Sequence, residues 1–345
     1  MTYAVDARWT IGGIGRYATE VARYLNPDAV IAPNRMSATS PIGSALVGLE
    51  VMVRRISCIF VPGYLPPLGV ERRTVPTVHD LMYVRGGAAS TGSRATYFDR
   101  VVKPQLLRCP IVLTGSEFVR QQILEWLGPK APPIEVVGYG LTDSLIPGDA
   151  RVAANRDAST WLFIGGDKMN KNLPRALEAW QRAGLHRRGF RLVVLGTVSD
   201  AVRRDTAGVS FAGLVTDDQL AGFYATASFL LMPSLDEGYG LPALEAIACR
   251  TPVLFGSVGL LPSVVGACGV GVNPMDVGSI ADAMVDMTTM QWATTMDCGA
   301  AAARANTWEV VAGRVEQHLL SVSCGARPSV RSDRARTIPA SPSSS

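Results

Sequence analysis

The sequence predicts an α/β protein made of two domains, each built around a parallel β-sheet. Its 345 residues exceed the length of one ordinary domain. Short apolar runs such as Arg191–Leu195 and Phe229–Met232 are typical of strands buried in parallel sheets. These runs alternate with amphipathic helical segments, which predicts right-handed crossovers and ligand sites beyond the carboxyl ends of the strands.

Local composition divides the chain. A polar stretch with Pro and Gly separates two α/β patterns, so we expect a first domain over 1–145, a linker over 146–158 and a second domain over 159–324. The last helix of the second domain is a candidate to return to the first. Residues 325–345 combine Pro, Ser and Arg with almost no apolar residue, which predicts a disordered tail.

Composition also limits the functional classes. No apolar stretch approaches the ~20 residues that span a bilayer, and the first residues lack the layout of a secretion signal, so we expect a cytoplasmic protein. Six scattered cysteines without a CxxC pair give no reason to expect a metal site. Residues 1–150 carry 15 Lys and Arg against 12 Asp and Glu, too weak an excess to indicate a nucleic-acid partner. The excess suits an anionic or membrane-borne partner, and an ordinary solvated surface explains it equally well.

In the first half, three strands lead into segments of interest. A strand over Tyr3–Asp6 is followed by a glycine loop over 12–17, which contains Gly13, and then by a helix. Such a loop can cradle a phosphate, but many α/β proteins use these glycines only for packing. His79 ends a second strand, and a lone histidine is more often structural than catalytic. The third strand leads to a helix from about 117 to 127, with Ser116 as its expected N-cap.

In the second half, a strand ending at Ile164 enters a loop that carries Lys168 and Lys171. Cations beyond the carboxyl end of a strand can meet an anionic ligand, and a leaving group that carries phosphate gains negative charge as its bond to the substrate breaks. A fixed lysine at that point stabilises the transition state more than the ground state, which accelerates the reaction. The competing interpretation is a solvated charged loop.

The most informative segment runs from 233 to 245. A buried strand ends there, a turn with Gly238 and Gly240 follows, and Pro242 is placed to open a helix. The backbone N–H groups of such a turn bind phosphate, helped by the helix dipole. We expect Glu237, in the turn, to reach a sugar ring, and Glu245, in the first helical turn, to accept hydrogen bonds from ribose hydroxyls. The competing interpretation is an ordinary acidic helix start.

The string from Glu237 to Ala246, Glu-Gly-Tyr-Gly-Leu-Pro-Ala-Leu-Glu-Ala, resembles the nucleotide-sugar motif of glycosyltransferase family 4. These are retaining enzymes of the GT-B fold, two Rossmann-like domains facing each other across a cleft. The resemblance implies that Glu237 contacts the donor sugar and Glu245 the ribose. It also implies that the amides of the intervening turn hold the diphosphate; the residues of that turn are Gly238, Tyr239, Gly240 and Leu241.

The resemblance extends from about residue 6 to residue 320; it is strong over 160–275 and patchy before that. The loop over 165–173 is similar to the family's Gly-Gly-x-Asp-x-Arg-Lys-Asn loop, which makes Lys171 and the neighbouring Asn172 donor-site residues, with Lys168 a substitute. Gly13 corresponds to the family's N-terminal glycine loop across the cleft from the diphosphate. His79 corresponds to a histidine near the transferred sugar, a candidate catalytic residue. The segment around Val215 is similar to one that lies beside the base.

Other positions are named for their match or their departure from the family. Arg120 follows a family-like Ser-x-Phe-x-Arg segment, and Trp308 matches a Trp that opens the last helix. Four residues replace common ones and put donor choice or activity in doubt: Gly166 and Asn170 stand where arginines are frequent, Arg250 replaces a glycine, and Ser263 replaces a glutamate.

The resemblance implies transfer of a hexosyl group, preferentially mannosyl from guanosine-diphosphate mannose, to a glycan or lipid-linked oligosaccharide in polysaccharide or cell-envelope synthesis. It further implies a reaction without metal or other cofactor, by a cytoplasmic protein for which a peripheral contact with the membrane stays open. Two alternatives remain. One is a sugar-nucleotide-binding protein of the same fold without turnover; the other is a different GT-B enzyme, an inverting transferase or an epimerase.

Overall fold

A computed structural model of the chain describes residues 2–10, 12–31, 36–82, 84, 92–141, 159–203 and 206–325. Within these residues the strands form two six-stranded sheets, one in each half of the chain. The predicted linker over 146–158 lies outside the described residues, and so does the predicted tail apart from Gly325.

The first sheet has the strand order β2-β1-β3-β4-β5-β6, and all its neighbouring strands are parallel. Its strands are β1 (Tyr3–Asp6), β2 (Ala29–Ile31), β3 (Cys58–Val61), β4 (Thr74–Val78), β5 (Val112–Thr114) and β6 (Ile134–Val136). The described helices of this half are α1 (Gly12–Tyr24), α2 (Pro41–Val53), α3 (Gly92–Tyr97), α4 (Lys103–Leu106) and α5 (Glu117–Leu127). Ser116 caps α5 as predicted, since its hydroxyl accepts a hydrogen bond of 3.2 Å from the Val119 N–H.

The second sheet has the order β12-β11-β10-β7-β8-β9, again wholly parallel. Its strands are β7 (Thr160–Ile164), β8 (Arg191–Leu195), β9 (Val209–Gly213), β10 (Phe229–Met232), β11 (Val253–Gly256) and β12 (Gly269–Val272). The helices are α6 (Leu173–Ala183), α7 (Asp217–Thr226), α8 (Leu241–Ala248), α9 (Leu261–Val265), α10 (Val277–Met287), α11 (Ala293–Arg304) and α12 (Trp308–Ser323).

Both sheets have a point at which the chain reverses its direction of winding. In the first sheet this point lies between β1 and β3, and in the second between β7 and β10. At such a point the loops after two adjacent strands diverge to opposite faces and leave a crevice, which is where α/β sheets bind ligands. The central strands are buried on both faces because helices cover them. The predicted α/β fold with two Rossmann-like halves is confirmed.

The last helix, α12, packs against the first sheet. Its Trp308, Val311 and Val315 belong to one buried cluster with Tyr17 of α1 and Phe60 of β3. At its start, a parallel bridge joins Leu141 to Thr307. The chain therefore ties its two halves together through a helix that follows the second sheet in sequence.

No helix in the described part of the chain is both long and apolar enough to cross a membrane.

Candidate active site

The site lies at the crevice of the second sheet. The loop after β7 spans 165–172, and the loop after β10 spans 233–240. Because β7 and β10 are neighbours in the sheet, these two loops meet above their carboxyl ends. A backbone hydrogen bond of 2.8 Å from the Leu235 N–H to the Asn170 carbonyl joins them directly. The two segments that the sequence singled out in this half are thus in contact.

The centre of the contact is an ion pair. The Lys171 Nζ lies 2.7 Å from the Glu237 Oε1, although 66 residues separate the two in sequence. Their side chains are 13% and 8% exposed, respectively. An ion pair with so little access to water is screened far less than one on the surface. The residues predicted to hold the leaving group and the donor sugar are therefore held against each other.

Asn172 fixes the loop that carries this lysine. It is buried and has the left-handed backbone conformation, with φ 63°. Its side-chain amide donates to the carbonyl oxygens of Pro233, at 3.0 Å, and Pro274, at 2.7 Å. Asparagine tolerates this backbone conformation better than most residues. The donor contact predicted for Asn172 stays a prediction; in the structure its side chain bridges two loops and so holds the loop that carries Lys171.

Two glycines shape the same loop. A Cβ at Gly165 would come within 2.8 Å of the Lys171 side chain, so this glycine leaves room for the lysine. Gly166 has φ 63°, and a Cβ there would collide with the carbonyl oxygen of Thr197. The arginine that some members of the family carry at this position would not fit this backbone. The backbone of this loop therefore requires glycine at position 166, which explains why no arginine stands there.

The glycine turn after β10 leads directly into α8. Gly240 is left-handed, with φ 78°, and α8 begins at Leu241 with Pro242 in its first turn. The first N–H groups of a helix have no intrahelical acceptor and, with the helix dipole, favour an anion. A Cβ at Gly238 would lie 3.0 Å from the Asp80 Oδ2, which shows how closely the first half approaches. The ring of Tyr239 packs against that of Tyr139 in the first half, with a centroid distance of 4.2 Å and an angle of 32° between the ring planes.

Glu245 lies deeper than predicted. It is the fifth residue of α8, not part of the first turn, because the helix begins at Leu241. It is 2% exposed. Its Oε1 lies 2.9 Å from the Arg16 Nη1, and its Oε2 accepts a hydrogen bond of 2.9 Å from the Tyr224 hydroxyl. Burial raises the pKa of Glu245, while Arg16 and Tyr224 act in the opposite direction.

Arg16 is a site residue for which the sequence suggested no role. It lies on α1 of the first half, so its ion pair with Glu245 crosses the cleft. Burial lowers the pKa of Arg16, but Glu245, Asp217 and its other acidic neighbours together leave that pKa raised. A contact between residues 16 and 245 has no signature in a local motif, so only the fold could reveal it.

The glycine segment before Arg16 differs from the prediction in one respect. Gly13 and Gly15 belong to the first turns of α1, not to a loop ahead of it. A Cβ at Gly15 would collide with the backbone of Thr10, which makes this glycine a packing residue. Nothing lies within 4 Å of a Cβ built on Gly13, so the helix start is open there. Of the two, Gly13 is the one that can let a ligand approach the backbone.

His79 is held by two partners within the first half. Its Nδ1 is hydrogen-bonded to the Tyr139 hydroxyl, and its Nε2 lies 2.7 Å from the Pro62 carbonyl oxygen. Burial lowers the pKa of His79 from 6.5 to about 4. The imidazole is thus neutral at physiological pH, with Nε2–H donating to the carbonyl and Nδ1 accepting from the tyrosine. This geometry gives His79 a positioning role for the loop and engages both of its nitrogens.

Two carboxyl groups that the sequence did not single out lie beside Glu237. Burial raises the pKa of Asp80, and the carboxylates of Asp236 and Glu237 raise it further. Burial and Glu237 also raise the pKa of Asp236. These neighbouring carboxyl groups offer hydrogen-bond acceptors to polar, hydroxyl-rich ligands. The sequence offered one indication that Asp80 belongs to the site, namely its position directly after the candidate residue His79.

The other residues that the sequence analysis named lie on several different elements of the fold. Val215 is half-buried in the loop between β9 and α7, and Trp308 begins α12. Arg250 has φ 58°, the conformation that favours the family's glycine, and pairs with Asp297 at 2.8 Å. The Ser263 hydroxyl donates to the Leu260 carbonyl in the start of α9.

The chain is similar in sequence to known glycosyltransferases. Residues 158–289 match the family model of the glycosyl transferases group 1. Over 269 residues the chain is 28% identical to the O-antigen chain mannosyltransferase B of Escherichia coli, covering 72% of this chain and 70% of that protein. Over 258 residues it is 43% identical to a D-inositol 3-phosphate glycosyltransferase of Streptomyces bingchenggensis, covering 63% of this chain and 55% of that one. The chain therefore spans little more than half the length of the second relative.

Two solved structures have the same architecture. The sucrose-phosphate synthase of Thermosynechococcus elongatus superposes with a TM-score of 0.72 at 19% identity, covering 94% of this chain and 99% of that one. WaaG, a glycosyltransferase involved in lipopolysaccharide biosynthesis, superposes with a TM-score of 0.68 at 17% identity, covering 92% and 99%. At these identities the likeness establishes the two-sheet fold and nothing finer.

Proposed function

We propose that this chain, which belongs to the glycosyl transferases group 1 and has the GT-B fold of a glycosyltransferase, moves a hexosyl group from a nucleoside diphosphate sugar to a hydroxyl with retention of anomeric configuration. The observation that carries this proposal is the pair formed by Lys171 and Glu237 beside the start of α8. It combines a cation, a carboxylate and a helix N-terminus at the ligand-binding edge of a parallel sheet.

In the proposed complex, the diphosphate lies at the N–H groups of the turn from Gly238 to Leu241. Lys171 neutralises the charge that develops on the leaving phosphate. Glu237 accepts hydrogen bonds from hydroxyls of the donor sugar, and Glu245 accepts them from the ribose, sharing its carboxylate with Arg16. Each of these side chains is already oriented by a partner in the protein, so little ordering is needed when the donor binds.

Retention in this proposal needs no covalent intermediate on the protein. The departing phosphate oxygen accepts the proton of the incoming hydroxyl on the same face of the sugar, while the protein positions both groups. His79 is not given a proton-transfer role, because both of its ring nitrogens are engaged. The reaction is proposed to need no metal, so it is expected to continue in the presence of a chelator.

For the donor, we favour guanosine-diphosphate mannose. The support is the relative named as a mannosyltransferase, which aligns over 72% of this chain. For the acceptor, we favour a growing polysaccharide or a lipid-linked oligosaccharide. The first half of the chain is where it would bind, since Asp80 brings a carboxyl group of that half to Gly238.

One observation favours a second function, sugar-nucleotide binding without turnover. Gly166 has no room for a phosphate-binding arginine. The described cation of this loop that lies at the site is Lys171, and it is already paired with Glu237. The loop therefore offers less positive charge to stabilise a leaving phosphate. Purified protein offered a panel of nucleoside diphosphate sugars separates the two. Release of nucleoside diphosphate, with a product whose anomeric proton and carbon signals match the donor configuration, supports the transferase. Tight binding without release supports the binding protein, and an inverted product contradicts retention.

A further inference from the structure

We propose that Arg16, on α1 of the first half, binds the diphosphate of the donor and supplies a positive charge that the loop over 165–172 lacks. This inference rests on the proposed function, because it adds a residue to the same donor site. Its basis is the position of Arg16 at the cleft, its ion pair with Glu245 of the other half, and the exposure of its side chain.

The first turns of α1 and α8 lie against each other. Arg16 and Glu245, which form the ion pair, are each the fifth residue of their helix. Tyr17, next to Arg16, is fully buried, and both Tyr239 and Leu241 pack against the cluster to which it belongs. The amino ends of the two helices therefore border the same part of the cleft. Because the first N–H groups of a helix have no intrahelical acceptor, both ends favour an anion there.

Arg16 is the more exposed partner of its ion pair. Its Nη1 lies 2.9 Å from the Glu245 Oε1, and the two side chains are 25% and 3% exposed, respectively. A ligand in the cleft therefore meets the arginine before the carboxylate. A guanidinium carries several N–H donors in a rigid fork, so it can hold a carboxylate and a phosphate oxygen at the same time. The pair with Glu245 thus orders the guanidinium before the donor binds.

The charge of a diphosphate calls for more than the second half offers. Lys171 is already paired with Glu237, and Gly166 has no room for an arginine. A diphosphate carries more than one negative charge, and it gains further charge as its bond to the sugar breaks. The planar guanidinium of an arginine binds phosphate by paired hydrogen bonds. With Arg16 in this role, the second cation comes from across the cleft, and the donor is held by both halves of the chain.

Arg23, on the same helix, gives the contrast. It also pairs with a buried glutamate, since its Nη1 lies 2.9 Å from the Glu20 Oε2. Both of these residues belong to α1, so their ion pair stays within one helix of the first half. The Arg23 side chain is 60% exposed, and it makes no described contact with the turn over 238–241. Arg23 is therefore a matched control for the loss of one paired arginine from α1.

The test is a double-mutant cycle on nucleotide binding, measured by calorimetry without acceptor. The probe is whichever of guanosine, uridine and adenosine diphosphate binds the unmodified protein most tightly. Arg16→Gln is made in the unmodified protein and again in Glu245→Gln, whose neutral amide leaves no buried carboxylate unpaired. We expect Arg16→Gln to weaken binding at least about tenfold in both backgrounds, because the contact that is lost is to phosphate. Arg16→Lys should recover part of the affinity, since it keeps the charge but not the planar fork.

The control Arg23→Gln should bind the same nucleotide within about twofold of the unmodified protein, and melting curves establish that each variant is folded. A loss on Arg16→Gln that disappears in the Glu245→Gln background overturns the proposal, because Arg16 would then act only by orienting the carboxylate. Unchanged affinity in both backgrounds overturns it as well, and so does an equal loss in Arg23→Gln. These outcomes leave the proposed function intact. Failure of all three nucleotides to bind the unmodified protein contradicts both proposals.

Discussion

Replacing Lys171 with alanine is the change that separates chemistry from folding at this site. Lys171 has two features that matter here. Its ammonium group pairs with the nearly buried carboxylate of Glu237, and it lies beside the start of α8, where we propose that the leaving phosphate binds. Removing one preorganised electrostatic contact typically costs about 2.7–4 kcal/mol in the transition state, which is roughly 100- to 1000-fold in kcat. We therefore expect a loss of kcat in this range.

The same variant should also lose stability, for a reason that the geometry gives. An exposed ion pair contributes about 0–1 kcal/mol, whereas removing one partner of a fully buried pair costs about 3–5 kcal/mol. With side chains 13% and 8% exposed, the pair lies between these limits and nearer the second. We expect the free energy of unfolding to fall by about 3 kcal/mol. Turnover must therefore be measured at a temperature at which melting curves show the variant folded.

Lys168→Ala is the matched control, because it removes an exposed lysine of the same loop. Its stability should stay within about 0.5 kcal/mol of the unmodified protein, and its turnover should be nearly unchanged. Lys171→Arg should recover only part of the activity, since the planar guanidinium differs from a compact ammonium. Steady-state release of nucleoside diphosphate gives all three values. The reasoning is refuted if Lys171→Ala loses stability but keeps kcat within about twofold, because the lysine would then serve only to hold Glu237.

Three further outcomes follow from the site and the fold. Glu245→Ala should weaken binding of a free nucleoside diphosphate at least about tenfold, because a hydrogen bond to a charged group contributes about 1.5–3 kcal/mol. Glu237→Ala should leave that affinity within about twofold. Calorimetry measures both affinities, and equal losses would contradict the separate roles of the two carboxylates. Because the pKa of His79 is lowered from 6.5 to about 4, the unfolded chain takes up the proton first as the pH falls. Between pH 6.5 and about 4, the free energy of unfolding should therefore fall by up to about 3 kcal/mol more in the unmodified protein than in His79→Gln. Urea denaturation at a series of pH values measures this difference, and the same pH dependence in both proteins would contradict the prediction. Gly166→Ala should be clearly less stable than Gly184→Ala, because both have φ 63° but only the first Cβ meets another atom; similar melting temperatures would argue against the described loop.

The sequence predicted most of what is local. Apolar runs, glycine turns and the N-cap at Ser116 depend on neighbours a few residues away, so the strands and their following loops could be placed. Parallel-sheet topology predicted ligand sites beyond the carboxyl ends of the strands, and the family resemblance implied that loops 165–172 and 233–240 belong to one donor site. The sequence-based prediction was wrong at one helix boundary: Gly13 and Gly15 were placed before α1, but they belong to its first turns.

What the sequence could not reveal depends on pairs of distant residues. The bond between Arg16 and Glu245 joins the two halves, and no periodicity encodes it. The bridge that the Asn172 amide makes between the carbonyl groups of Pro233 and Pro274 is likewise visible only in the folded chain. Likewise, the deep position of Glu245 follows from the helix starting at Leu241, a boundary that composition does not fix to within one turn.

The central claim is that Lys171, Glu237, Glu245 and the start of α8 form one donor site. The most direct test is a crystal structure of the protein with an unreactive fluorinated analogue of guanosine-diphosphate mannose. The account predicts the diphosphate at the N–H groups of Gly238 to Leu241, Lys171 within hydrogen-bonding distance of its terminal phosphate, Glu237 on the sugar and Glu245 on the ribose. A donor bound with its diphosphate away from this turn, or with the sugar and ribose on exchanged carboxylates, would contradict it.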